Sequence, residues 1–82
     1  MDNEEKLISL GDAANKLGSS QAFSSILDEI IGNQHLIIEK SDVTETSKRE
    51  AAYHLIRAIN EIKEQISVAY NRGQRAKARR KS

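Results

Sequence analysis

Ser47 to Asn71, SKREAAYHLIRAINEIKEQISVAYN, is the stretch from which the rest of the chain is read. Ala52, Leu55, Ile59, Ile62, Ile66 and Ala69 follow one another at spacings of three and four, the seam of a helix packed along its length on a partner. Ile56 and Tyr70 flank that seam on one side, Ala51 and Ala58 on the other. The face is wider than a two-stranded zipper requires and suits a bundle of three or four helices. Arg57, Asn60, Glu61, Glu64 and Asn71 fall opposite it and are expected to be wet. Ser47 with Glu50 has the spacing of a capping box, while Thr44, and Asp42 with Glu45, are rival caps that would start the helix a turn earlier. Gly73 is the expected stop, because glycine takes the left-handed conformation that closes a helix and Arg72 before it suits the dipole. From Ser47 to Arg72 the rod would be roughly 39 Å long.

Upstream, Asn3 or Asp2 caps a first helix whose Leu7, Leu10, Ala14 and Leu17 share one stripe and which Gly18 ends. Gly11 inside it costs about 1 kcal/mol relative to Ala, so this helix depends on packing, or breaks there and restarts at Asp12. Ser19 or Ser20 caps a second helix carrying Ala22, Phe23, Ile26, Leu27, Ile30 and Ile31. Beyond Gly32 and Asn33 two readings exist: the helix continues to about Glu39, kinked near Gly32, or HLIIEK forms a short strand; the helix is preferred. A polar connection from Lys40 to Thr46 then returns the third helix antiparallel to the second. The expected fold class is all-α, a helical hairpin with a short N-terminal helix and one long C-terminal helix, oligomerising into a helical bundle.

Composition narrows the function classes. Eighty-two residues make one domain at most, and a chain this short is often marginal alone. The absence of Cys removes disulfides and Cys-ligated metals, and the absence of Pro favours uninterrupted helices. No apolar run approaches membrane-spanning length, and the acidic start MDNEEK is unlike a signal peptide, so the chain reads as soluble and unexported. The net charge of +1 conceals an asymmetry. All twelve acids precede Arg72, whereas residues 72 to 82 hold six cations and no acid. The domains are therefore read as a helical unit over residues 1–73 and a basic C-terminal tail over 74–82.

No catalytic constellation is legible. His35 and His54 are the only imidazole bases, at no shared helical spacing, which also makes a poor zinc site. Glu4 with Glu5 and Asp28 with Glu29 are adjacent and diverge on a helix. LGDAANKLG and NRGQRAK lack phosphate-loop and dinucleotide spacings. The expectation is therefore a non-enzymatic protein with no catalytic residue, metal, cofactor, small-molecule substrate or membrane partner. Two surfaces are expected to act. Leu55, Ile59, Ile62, Ile66 and Val68 form the candidate homo-oligomer interface. Arg72, Arg75, Lys77, Arg79, Arg80 and Lys81 form a candidate nucleic-acid site that contacts phosphates without reading bases, since no aromatic residue interrupts them. An acidic protein surface is the alternative partner for the tail. As a separate tail, Gln74 to Ser82 is expected to be removable without loss of the fold.

The blocks AFSSILDEI (Ala22 to Ile30) and REAAYHLIRAINEIKEQI (Arg49 to Ile66), a short helix and a long Ala-Ile-rich one, resemble small helical proteins encoded in tailed-phage genomes near head or packaging genes. The resemblance covers about half the chain. It implies a non-enzymatic accessory or virion-associated role, in the host cytoplasm or the virion, and carries over no functional residue.

Overall fold

A computed structural model describes residues 3 to 81, Lys81 in its backbone only. Three helices account for nearly all of these residues: α1 Asn3–Ser19, α2 Gln21–Lys40 and α3 Thr46–Lys81, with no strand among the described residues. Asp2, one of the two caps considered for α1, lies outside them.

Short polar side chains set the boundaries. Ser20, in extended conformation, separates α1 from α2, and its Oγ accepts a 3.2 Å hydrogen bond from the Phe23 N–H. That bond satisfies one of the donors a helix start leaves orphaned. α2 runs without interruption through Gly32 and HLIIEK, and its end is held by Ser41 Oγ donating to the Ile38 carbonyl at 2.8 Å. The next connection is tied by Arg49, whose guanidinium donates to the Asp42 and Val43 carbonyls and to Ser41 Oγ. α3 starts at Thr46, one residue before Ser47, and the residue that precedes it is Glu45, not Asp42, Thr44 or Ser47. Glu45 accepts from the Asp42 N–H at 2.8 Å while its carbonyl takes the Arg49 N–H. The bond from Asp42, reinforced by the Lys48 ammonium at 3.4 Å, holds the Glu45 carboxyl below its ordinary 4.5.

α1 and α2 lie in succession, both antiparallel to α3 and barely touching each other. Asp28 of α2 meets Lys63, Gly18 of α1 meets Ile66, Gly11 meets Gly73, and Glu4 meets Arg79. The molecule is thus one long helix paired with an arm broken at Ser20, a rod 59 Å long and 22 by 18 Å across. Only one arm helix covers α3 over most of its length, so the core is thin. Its buried apolar residues are Ala14, Leu27, Ala52, Ile59 and Ala76.

Two sequence expectations are corrected by this arrangement. The buried strip of α3 takes a different phase from the expected seam: Leu55 and Ile62 are 40% and 47% exposed, whereas Ile56 and Lys63 are half-buried beside the buried Ala52 and Ile59. A single partner helix covers a strip narrower than the apolar face, and the phase adopted brings Lys63 to Asp28 at 2.9 Å. The second correction is at Gly73, where α3 does not stop and no glycine has positive φ. A Cβ built on Gly73 would stand 2.9 Å from the Gly11 Cα and 3.0 Å from the Leu7 carbonyl oxygen. Glycine serves here for close approach of two backbones, not for chain reversal. Beyond it Ala76 is fully buried, so residues 74–81 are the last turns of the packed helix and not a separate tail.

Candidate functional site

Along most of its length the rod is one helix pair, which leaves two long flanks, and they differ in character. On one of them a cleft of about 440 Å³ opens between α1 and α3. Leu10 and Leu17 line it from α1, and Ile62, Ile66 and Ala69 from α3, while Glu61, Gln65 and Arg72 supply its polar edge. The apolar character continues toward the other end. Leu55 lies two turns before Ile62 and so on the same face of α3. On α2, Leu27 is buried and Asp28 pairs with Lys63 on the far side, which puts Ile26, a step of about 100° the other way, on the flank that Ile62 shares. Leu10, Leu17, Ile26, Leu55 and Ile62 are all large, apolar and exposed, Leu10 at 57%. The opposite flank is mixed, with the Asp28–Lys63 pair beside Phe23 and a shallow depression lined by Asn15, Ser19, Ser67, Asn71 and the exposed Tyr70.

The expected interface residues divide accordingly. Leu55 and Ile62 sit on the apolar flank, Val68 and Ile66 line its cleft half-buried, and Ile59, 4% exposed, belongs to the intramolecular core, where it has little surface to offer a partner. Leu10, Leu17 and Ile26 were not among the expected interface residues. Their stripes were visible in the sequence, but not which edge of each stripe the partner helix leaves uncovered.

The basic end is also changed by packing. Lys77 Nζ is 2.7 Å from Asp12, Arg79 Nε 3.3 Å from Glu4, and an Arg80 guanidinium nitrogen 3.0 Å from Glu5. Three of the six cations expected to meet phosphates therefore face acids of α1. These pairs are partly exposed, and such pairs contribute little each, about 0 to 1 kcal/mol. They also complement the dipoles at an N-terminus and a C-terminus lying side by side. Arg72 and Arg75 are exposed and have no acid partner among the described residues, and the Lys81 side chain lies outside them.

No cluster of three or more His, Asp or Glu residues capable of holding a metal occurs among the described residues. His35 and His54 are both exposed, on different helices. Among the described residues no helix is long and apolar enough to cross a membrane. No protein-family model matches the sequence, and comparisons with curated proteins and with solved structures give no significant match.

Proposed function

We propose that this chain is a non-enzymatic, self-assembling helical protein, a structural or interaction subunit whose working surface is the apolar flank. The observation that carries this reading is the placement of Leu10, Leu17, Ile26, Leu55 and Ile62, which stay exposed on one side of a rod whose other side is mixed in character. A continuous apolar face of this kind marks a binding surface more often than it marks scattered surface residues. Its occupant is a second copy, because covering the flank with another pair of helices completes the bundle that the wide apolar face of α3 suits. The resemblance to small helical phage proteins supports reading such an assembly as an accessory or virion component. Light scattering over a concentration series tests it: the wild-type chain is expected to exceed the monomer mass of 9.2 kDa. Ile62→Asp should return it to the monomer with its helical signal kept, since residue 62 is not in the intramolecular core. A wild-type monomer at every concentration refutes the reading.

A second reading, contact with nucleic-acid phosphates, is favoured by the exposed Arg72 and Arg75. Pairing of Lys77, Arg79 and Arg80 with α1 reduces the contacts on offer. Two contacts lower affinity for duplex DNA by only about tenfold between 50 and 200 mM salt, whereas six lower it by roughly three orders of magnitude. The steeper dependence would show that the helix end releases its acids to bind DNA.

A further inference from the structure

The cleft on the apolar flank has one acid and one base at its polar edge, Glu61 and Arg72. Both are exposed. Glu61 accepts only a neutral hydrogen bond, from Gln65 Nε2 at 3.1 Å, and neither residue has an oppositely charged partner among the described residues. They are eleven positions apart on one straight helix, about three turns or roughly 16 Å. Their midpoint falls between Ile66 and Ser67, close to the middle of the 36-residue α3.

From this arrangement we infer that the second copy binds antiparallel, α3 on α3 across a two-fold axis near Ile66, with Glu61 of each chain paired with Arg72 of the other. The inference rests on the self-assembly reading and adds the orientation and register. A two-fold axis perpendicular to the helices exchanges position 61 with position 72, so one acid and one base on a single chain become two ion pairs. A two-fold axis parallel to the rods instead carries Glu61 to the opposite edge of the flank, or onto its own copy where α3 lies on the axis, and in neither case brings it to Arg72. With the axis near the centre of α3 the two rods overlap over most of their length. A flank 59 Å long and 18 Å wide then offers a footprint on the order of 1,000 Å², above the roughly 800 Å² per partner of a stable interface. Leu10, Leu17 and Ile62 of both chains meet in the middle, with the charges setting the register at the edge, as e and g positions do in coiled coils.

Charge reversal tests the pairing. Dimer dissociation constants of wild type, Glu61→Arg, Arg72→Glu and the double variant are measured by sedimentation equilibrium, with circular dichroism confirming equal helicity. Each single reversal creates two like-charge contacts and is expected to weaken the homodimer by about tenfold, and the double variant to recover wild-type affinity. An equimolar mixture of the two single variants should form heterodimers more tightly than either forms homodimers. Wild-type affinity in both single variants overturns the antiparallel register while leaving self-assembly standing, and so does a double variant as weak as the two losses combined. A wild-type monomer removes both.

Discussion

Replacing Gly73 and Gly32 by alanine, each alone, should move stability in opposite directions. Both glycines lie inside helices, where alanine is intrinsically better by about 1 kcal/mol. A Cβ on Gly32 meets nothing within 4 Å, so Gly32→Ala should realise that gain in full. At Gly73 the same atom would stand 2.9 Å from the Gly11 Cα and 3.0 Å from the Leu7 oxygen, where carbon contacts normally lie at about 3.5 to 4.0 Å. Both neighbours are backbone and cannot rotate away. α1 must therefore shift outward by about half an ångström or more, loosening the contact that buries Ala14 and Ala76. Overpacking of this kind costs about 1 to 3 kcal/mol, which outweighs the propensity gain and leaves Gly73→Ala destabilised by about 1 kcal/mol. In a domain of this size 1 kcal/mol moves Tm by about 4 to 8 °C, so the two variants should melt about 10 °C apart. Thermal unfolding followed by circular dichroism at one fixed protein concentration measures it, because the self-association proposed above would make Tm depend on concentration. Equal upward shifts in both variants would refute the claim that the α1 and α3 backbones touch at Gly11 and Gly73.

Three further outcomes follow from the same packing. Ending the chain at Gly73 removes the buried Ala76 and the partners of Asp12, Glu4 and Glu5, so α1 should undock; a loss of helical signal limited to the deleted residues would contradict this. Ile59→Ala, in the thin core, should cost about 2 to 4 kcal/mol in urea unfolding, whereas Val43→Ala, at an exposed loop position, should stay within about 0.5 kcal/mol. Glu45 titrates below its ordinary 4.5, so its contribution is present above that pH and is lost as pH falls through the lower folded-state value. Amide exchange in the first turn of α3 should accelerate over that acid range, and Glu45→Gln should flatten the dependence.

The helices were legible because their cause is local. Three-and-four spacing, Ser20 and the polar connection after Lys40 are readable wherever the rest of the chain goes. The phase of the seam was not, because Leu55 with Ile62 and Ile56 with Lys63 have equal spacing, and only the partner decides between them. The one clue was Lys63, which makes sense at a buried edge only if an acid such as Asp28 comes to meet it. Gly73 was misread for a similar reason: a glycine that ends a helix and a glycine over which two helices cross look alike in a single sequence. The small residues around it, Ala69 beside Gly11 and the buried Ala14 and Ala76, are the pattern that separates the two. Leu55 and Ile62 do lie on the apolar face of α3 that the spacing predicts, though exposed and not in its core. The contributions of Leu10, Leu17 and Ile26 depended on how far a two-helix rod leaves its own stripes uncovered.

The break at Ser20 has a consequence for the order in which the molecule assembles. α2 and α3 are joined by a five-residue connection clamped by Arg49, so their pairing closes a short loop and can form early. α1 reaches its place only by bringing together residues as far as 75 positions apart, Glu4 with Arg79 and Glu5 with Arg80, and gains almost nothing from α2 on the way. It should therefore dock last and release first, a separate cooperative unit whose amides exchange while those of α2 and the first half of α3 remain protected. Its release would uncover Gly73 and Ala76 and free Lys77, Arg79 and Arg80 together, leaving an unpaired, strongly basic helix end.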